Sequence, residues 1–131
     1  MEAIPPVDQW GDEARIAAAR DAMRYVDHKP GGWFLVEQQG SYYLQARYSY
    51  SAVIDDSALI RLDESEVEAY RKGGHDYLSD LAMRIHNSAP YSEESPYHSR
   101  DLYRGPDARA YREAVGAAIV NHTWLAEQRR N

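Results

Sequence analysis

Polar and apolar residues alternate along the chain from Ser41 to Ile54. Side chains of an extended chain point alternately to opposite faces, so this pattern predicts a strand with one buried face and one solvent-facing side. The predicted buried positions are Tyr42, Leu44, Ala46, Tyr48, Tyr50, Ala52 and Ile54, and the predicted solvent-facing ones are Tyr43, Gln45, Arg47, Ser49 and Ser51. Tyr and Arg on a solvent-facing side are suited to holding a protein partner.

Two further strands are predicted beside this one. Residues 33–38 are rich in aromatic and aliphatic side chains, and Gln39-Gly40 provides a tight turn into the alternating strand. Residues 51–62 contain the third strand, which we expect to be interrupted at Asp55-Asp56 by a turn or a bulge. The short connections predict a three-stranded antiparallel meander, because parallel strands need longer crossovers.

Helical spacing marks three other segments. Residues 8 or 12 to 27 carry apolar side chains at a helical period after a loose lead-in over residues 1–8, and Pro30-Gly31-Gly32 ends this segment. Asp63 and Glu66 form a predicted capping box for a second helix, whose apolar phase continues across Gly73-Gly74, as one long helix or two nearly collinear ones. The last helix is expected from Pro106 or Asp107 to about Arg129.

The predicted architecture is α+β, with an N-terminal helix, a three-stranded antiparallel meander and then two or three helices packed on one face. At 131 residues we expect a single domain over 1–131. Residues 88–106 form a long loop between the second and last helices, and loops of this length are typical of functional or mobile segments.

Charge is distributed unevenly along the chain, which carries a net charge of −6. Residues 55–94 contain ten acids and four bases, including six acids within fourteen residues: Asp55, Asp56, Asp63, Glu64, Glu66 and Glu68. An acidic field repels nucleic acid and attracts basic partners. Capping and helix-dipole effects explain Asp63, Glu64 and Glu66, but they explain Asp55 and Asp56 less well.

The composition also limits the compartment and the chemistry. The chain has no cysteine and no apolar run near the roughly 20 residues that a membrane span needs, and its first residues do not resemble a secretory signal. We therefore expect a cytoplasmic protein without a membrane or nucleic-acid partner. We predict no cofactor and no metal, since the histidines lack zinc-type spacing; a loose cation site at His75, Asp76 and Asp80 is a weaker interpretation than a solvated helix face.

One segment of the loop carries residue types used in catalysis. In residues 97–101 (YHSRD), His98 is a candidate base, Arg100 a candidate phosphate ligand and Asp101 a candidate partner that orients the histidine. Neighbours in sequence are not a catalytic arrangement until geometry brings them together. A polar loop held against the body by its tyrosines is the structural alternative.

Residues 33–87 resemble the core pattern of small immunity proteins from bacterial polymorphic toxin systems. The matching positions are Trp33 to Glu37, Gly40, Tyr43-Leu44, Ile60 to Asp63, Glu66, Tyr70, Gly74, Tyr77-Leu78, Leu81-Ala82 and Ile85. The resemblance implies a cytoplasmic protein that binds a cognate toxin domain and blocks its active site. These families share no fixed contact residues, so the resemblance assigns none here.

We therefore predict an immunity protein, not an enzyme, that occludes the active site of a basic toxin domain and is a monomer or a homodimer. The alternatives are a small enzyme that acts on a phosphorylated substrate through the His98 loop, and a self-associating regulatory subunit. Charge and aromatic placement select the expected partner contacts, which are Tyr43, Arg47, Asp55, Asp56, Glu64, Glu68, Tyr97 and Arg100.

Overall fold

A computed structural model describes residues 22–49 and 51–130. Four strands are followed by a long helix, a short 3-10 helix and a second long helix. In chain order the elements are β1 (Arg24–Lys29), β2 (Trp33–Gln38), β3 (Ser41–Ser49), β4 (Asp55–Arg61), α1 (Glu64–Asn87), the 3-10 helix (Leu102–Arg104) and α2 (Ala108–Arg130).

The four strands form one antiparallel sheet in the order β1-β2-β3-β4. The first connection is the turn Lys29–Gly32, closed by a 2.9 Å bond from the Gly32 amide to the Lys29 carbonyl, with Gly31 at φ 74°. Proline before a glycine of positive φ favours this turn. The second turn places Gln39 and Gly40 at φ 51° and 80°, which matches the twist of a tight hairpin.

The predicted N-terminal helix is wrong where it can be compared, because Arg24 to Asp27 belong to a strand. The meander consequently has four strands rather than three. A register shift between Tyr25 and Asp27 interrupts the two-residue alternation of β1. Because of this bulge, the sequence of β1 lacks the regular alternation that predicts a strand. Hydrogen bonding with β2 favours the extended conformation over the helix that the spacing of a few apolar residues predicted. The rest of that predicted helix and the lead-in over residues 1–8 lie outside the described residues.

The prediction that the helices share one face of the sheet is also wrong. The first face packs against α1. The side chains buried between them include Leu35, Leu44 and Ile60 from the sheet and Leu78 and Leu81 from the helix. The opposite face packs against the 3-10 helix and α2. The side chains buried there are Val36, Tyr43 and Leu59 from the sheet, Tyr103 from the 3-10 helix, and Val115 and Ala118 from α2. The sheet is therefore a middle layer with a helix on each side.

Helix α1 begins as the sequence predicts. The Asp63 carboxylate accepts a 2.8 Å bond from the Glu66 amide, and the Glu66 carboxylate accepts a 2.9 Å bond from the Asp63 amide, so the capping box is confirmed. The helix is kinked at Gly74, whose φ of 60° and ψ of −142° are not helical. Gly73 is also required, because a Cβ at this position would lie 2.8 Å from Cβ of Tyr77.

The segment between α1 and α2 closes the outer edge of β4. The Asp101 carboxylate accepts a 3.0 Å bond from the Leu59 amide and another from the Tyr103 amide, while Asp101 forms a β-bridge with Ile60. Tyr103 then donates a hydrogen bond to the Gln45 side chain on the α2 side of the sheet. This segment carries the chain from one face of the sheet to the other and satisfies edge groups that would otherwise remain open.

Candidate partner-binding surface

The acidic run of the sequence is divided between the two ends of β4. Asp55 and Asp56 are the first two residues of this seven-residue strand, whereas Asp63 to Glu68 follow its last residue. Seven extended residues span about 20 Å, so the run does not form one continuous acidic patch. We call the set Asp63, Glu64, Glu66 and Glu68 the helix-start cluster, and the set Arg47, Ser49, Val53, Ile54, Asp55 and Asp56 the hairpin surface.

Within the helix-start cluster, the central acid is used inside the fold. Glu66 is buried, and its carboxylate accepts bonds of 2.5 and 3.2 Å from the two terminal nitrogens of Arg100. The same guanidinium donates a 3.0 Å bond to the Arg61 carbonyl at the end of β4. Arg100, a predicted partner contact, therefore fastens the loop to the start of α1.

Asp63 has a similar structural role. The Glu66 amide and then the Ser65 hydroxyl donate to its carboxylate and lower the pKa of Asp63 below its ordinary value of 3.8. Of the two predicted contacts in this cluster, Glu64 is exposed and Glu68 lies 3.6 Å from Arg71 and 4.0 Å from Lys72. Both glutamates line a shallow groove between α1 and the Gly40–Tyr42 segment.

Three of the predicted contacts lie together at the hairpin surface. The Arg47 guanidinium donates a 2.5 Å bond to the Asp55 carboxylate, and the Ser49 hydroxyl donates to the other oxygen at 3.1 Å. These two bonds lower the pKa of Asp55. Asp56 accepts from the Ser57 amide and lies 3.9 Å from the Arg112 guanidinium. The expected interruption at Asp55-Asp56 is wrong, because both residues pair with β3.

Sequence reasoning missed the apolar part of this surface. Val53 is 89% exposed and Ile54 is 53% exposed in the connection between β3 and β4. After Arg47 and Ser49, His86 near the end of α1 makes a smaller contribution to the lowering of the Asp55 pKa. Met83, which is 56% exposed, shares with His86 and Arg47 a recess of about 240 Å³ floored by Gly32 and Trp33. The alternation predicted Ile54 to be buried, which is wrong, whereas Val53 falls at a solvent-facing position of the same alternation and was the available signal.

The two tyrosines predicted as partner contacts, Tyr43 and Tyr97, are buried to different degrees. Tyr43 retains 7% exposure because α2 covers this part of the sheet, and its ring lies 5.9 Å from that of Tyr111. The expectation of a solvent-facing side for β3 is therefore wrong at Tyr43 and holds at Arg47 and Ser49. Tyr97 is partly buried against the α1 side of the sheet, with the Arg100 guanidinium 5.6 Å from its ring centre.

The loop residues considered for catalysis make separate structural bonds. His98 donates from Nδ1 to the Pro90 carbonyl at 3.0 Å, since a carbonyl only accepts. Arg100 is bound to Glu66, and the buried Asp101 carboxylate holds the Leu59 and Tyr103 amides instead of orienting His98. Burial raises the pKa of Asp101, although these amides and Arg104 act in the opposite direction. Catalysis at His98 remains an untested prediction.

His75 does not form a cation site with Asp76 and Asp80. Its Nδ1 lies 2.8 Å from a carboxylate oxygen of Asp27 in β1, and its ring lies 4.9 Å from that of Trp33. Within residues 22–49 and 51–130, no group of three or more His, Asp or Glu side chains is placed to hold a metal ion. Neither of the two described long helices is apolar enough over its length to cross a lipid bilayer.

We compared the chain with protein-family models, with curated proteins and with solved structures, and none of these comparisons gave a match. The function of this chain therefore has to be inferred from its own residues. The observation with the clearest chemical content is the hairpin surface, where exposed aliphatic side chains adjoin two carboxylates.

Proposed function

We propose that this chain is an immunity protein, which binds a basic toxin domain in the cytoplasm and occludes its active site. The observation that supports this proposal is the hairpin surface. There Val53 and Ile54 are exposed beside Asp55 and Asp56, and interfaces combine apolar anchors with a charged rim in this way.

The two kinds of side chain contribute different terms to such a complex. Carboxylates at the rim accelerate encounter with a basic surface and favour one orientation of the partner. Aliphatic side chains lose contact with water in the complex and slow its dissociation. Arg47 orders the Asp55 side chain in the free protein, so less side-chain conformational entropy is lost when the partner binds.

The proposed contact surface includes three of the residues selected from the sequence, namely Arg47, Asp55 and Asp56. Glu64 and Glu68 lie at the other end of β4 and provide a natural comparison. Tyr43 and Arg100 act inside the fold, so we do not assign them to the contact surface.

Co-expression tests the proposal. The toxin domain to use is the variable C-terminal domain of a large secreted protein encoded directly beside the gene for this chain. We expect the domain to arrest growth of a host cell, and this chain to restore growth and to inhibit the purified domain at a 1:1 ratio. Growth arrest that persists despite normal levels of this chain would contradict the proposal, as would purified chain that leaves the domain fully active.

A further inference from the structure

The connection from β3 to β4 ends in a tip that is fixed by its own hydrogen bonds. The Ser51 hydroxyl oxygen accepts bonds from the Val53 and Ile54 amides at 3.3 and 3.2 Å, and the Ser51 amide donates to the Ile54 carbonyl at 3.2 Å. A serine hydroxyl that replaces backbone partners in this manner stabilises a turn. The backbone that carries the two aliphatic side chains is therefore fixed by a hydrogen-bonded turn.

The exposure of these side chains is the unusual feature. Val53, at 89%, is the most exposed large hydrophobic residue among the described parts of the chain. An exposed apolar side chain contributes little hydrophobic free energy to the stability of the fold, whereas its burial against a partner would be favourable. The hairpin also extends past β2, because the pairing of β3 with β2 ends at Ala46 whereas its pairing with β4 continues to Ser49.

Two carboxylates lie on the β4 side of the base of the tip, and Arg47 lies on the β3 side. Asp55 and Asp56 follow Ile54 directly, and Asp55 is held by Arg47 and Ser49. An exposed apolar tip beside two exposed carboxylates, on a chain with a net charge of −6, is complementary to a cleft with an apolar floor and a basic rim.

We propose that the tip formed by Val53 and Ile54 inserts into a cleft of the toxin domain that has an apolar floor and a basic rim. This inference rests on the proposed function and specifies how the active site is occluded: the hairpin enters the cleft as a wedge instead of covering it with a flat surface. The preformed turn lowers the ordering cost of insertion.

An anionic bilayer is a different apolar environment that an aliphatic tip can enter. Asp55 and Asp56 disfavour it, because the negative surface potential of an anionic leaflet repels carboxylates. Sedimentation with vesicles of phosphatidylcholine and phosphatidylserine provides the direct measurement of this alternative. We expect the protein to stay in the supernatant.

Calorimetric titration of the purified toxin domain tests the inference. The variant Val53→Ser with Ile54→Ser removes both aliphatic side chains, and Val120→Ser is the matched control, since Val120 is 68% exposed on α2. Burial of each aliphatic side chain changes affinity by roughly tenfold, so we expect Kd to rise by about 100-fold when both are removed in the tip variant. The control should stay within about twofold, and thermal unfolding of both variants should match the unsubstituted protein.

The outcomes separate the two proposals. A tip variant that binds within about twofold of the unsubstituted protein, while the latter neutralises the toxin domain, would overturn the insertion and leave the immunity function standing. Failure of the unsubstituted protein to bind the domain would overturn the immunity function and the insertion with it. Sedimentation with vesicles that depends on Val53 and Ile54 would also overturn the insertion, in favour of a membrane contact.

Discussion

Acids lie at both ends of β4, two at the hairpin surface and four in the helix-start cluster, but the fold uses the two groups differently. In the helix-start cluster, the chain provides its own partners: the Glu66 amide and the Ser65 hydroxyl for Asp63, and the Arg100 guanidinium for the buried Glu66. At the hairpin surface, Asp55 and Asp56 remain exposed beside two aliphatic side chains. Acid density along a sequence therefore does not distinguish structural carboxylates from those available to a partner. The distinction depends on whether the fold buries the carboxylate against a cation or an amide.

The largest effect is expected at Glu66. Replacement by alanine leaves the partly buried Arg100 without its carboxylate and removes half of the capping box. We expect Glu66→Ala to lower the free energy of unfolding by about 3 kcal/mol, which denaturant unfolding measures. The double-mutant cycle with Arg100→Met isolates the pair, and additive losses would show that the two residues do not interact.

Asp63 should have a smaller effect, because its exposed carboxylate caps the start of α1 and pairs with no buried charge. We expect Asp63→Ala to lower the free energy of unfolding by about 1 kcal/mol, and Asp63→Asn to lower it less, since asparagine also caps helices. Equal losses for the two variants in the same denaturant assay would argue against capping as the role of Asp63.

The Asp63 carboxylate also predicts a pH dependence. Its pKa in the folded protein lies below the ordinary value of 3.8, so the folded state binds the proton less readily than the unfolded state does. The stabilisation is present above pH 4 and is lost as the pH falls through the pKa of the folded state. We expect Asp63→Asn to lose less stability than the unsubstituted protein between about pH 4 and pH 2. Parallel acid-unfolding curves would contradict this assignment.

The smallest effect on stability is expected at the hairpin surface. The Arg47–Asp55 pair is short, but both side chains are about half exposed, and solvent screens such a pair strongly. We expect Asp55→Asn to leave the midpoint of denaturant unfolding unchanged within the error of the measurement, with little dependence on salt. A loss as large as that of Glu66→Ala would mean that this carboxylate is structural, and the contrast between the two ends would disappear.

How far the sequence predicts the fold depends on whether the signals are local. The capping box at Asp63 and Glu66 is a local signal, and the structure confirms it. The strand β1 was missed because its bulge breaks the alternation, and its identity is determined by pairing with β2. The coverage of Tyr43 by α2 depends on the path of residues 88–106 around the edge of β4, which no local pattern encodes.

The candidate site was predicted only in part for the same reason. Arg47, Asp55 and Asp56 were recognised from charge and alternation, and the structure places them together. The ion pair between Glu66 and Arg100 joins residues 34 positions apart, so sequence inspection assigned Arg100 to a partner. Val53 and Ile54 were interpreted as part of a strand region, and the exposure of a hairpin tip becomes visible only when the turn that creates it is known.

The central claim is that the hairpin surface contacts the toxin domain and the helix-start cluster does not. Stopped-flow mixing with the toxin domain measures the association rate constant at low and at physiological ionic strength. Two double variants are compared: one combines Asp55→Asn and Asp56→Asn, and the other combines Glu64→Gln and Glu68→Gln. Each double variant removes two carboxylate charges. We expect the first to slow association by about tenfold at low ionic strength and to weaken its salt dependence, and the second to change the rate by less than about twofold. Equal slowing by both variants, or an unchanged rate in the first, would contradict the account.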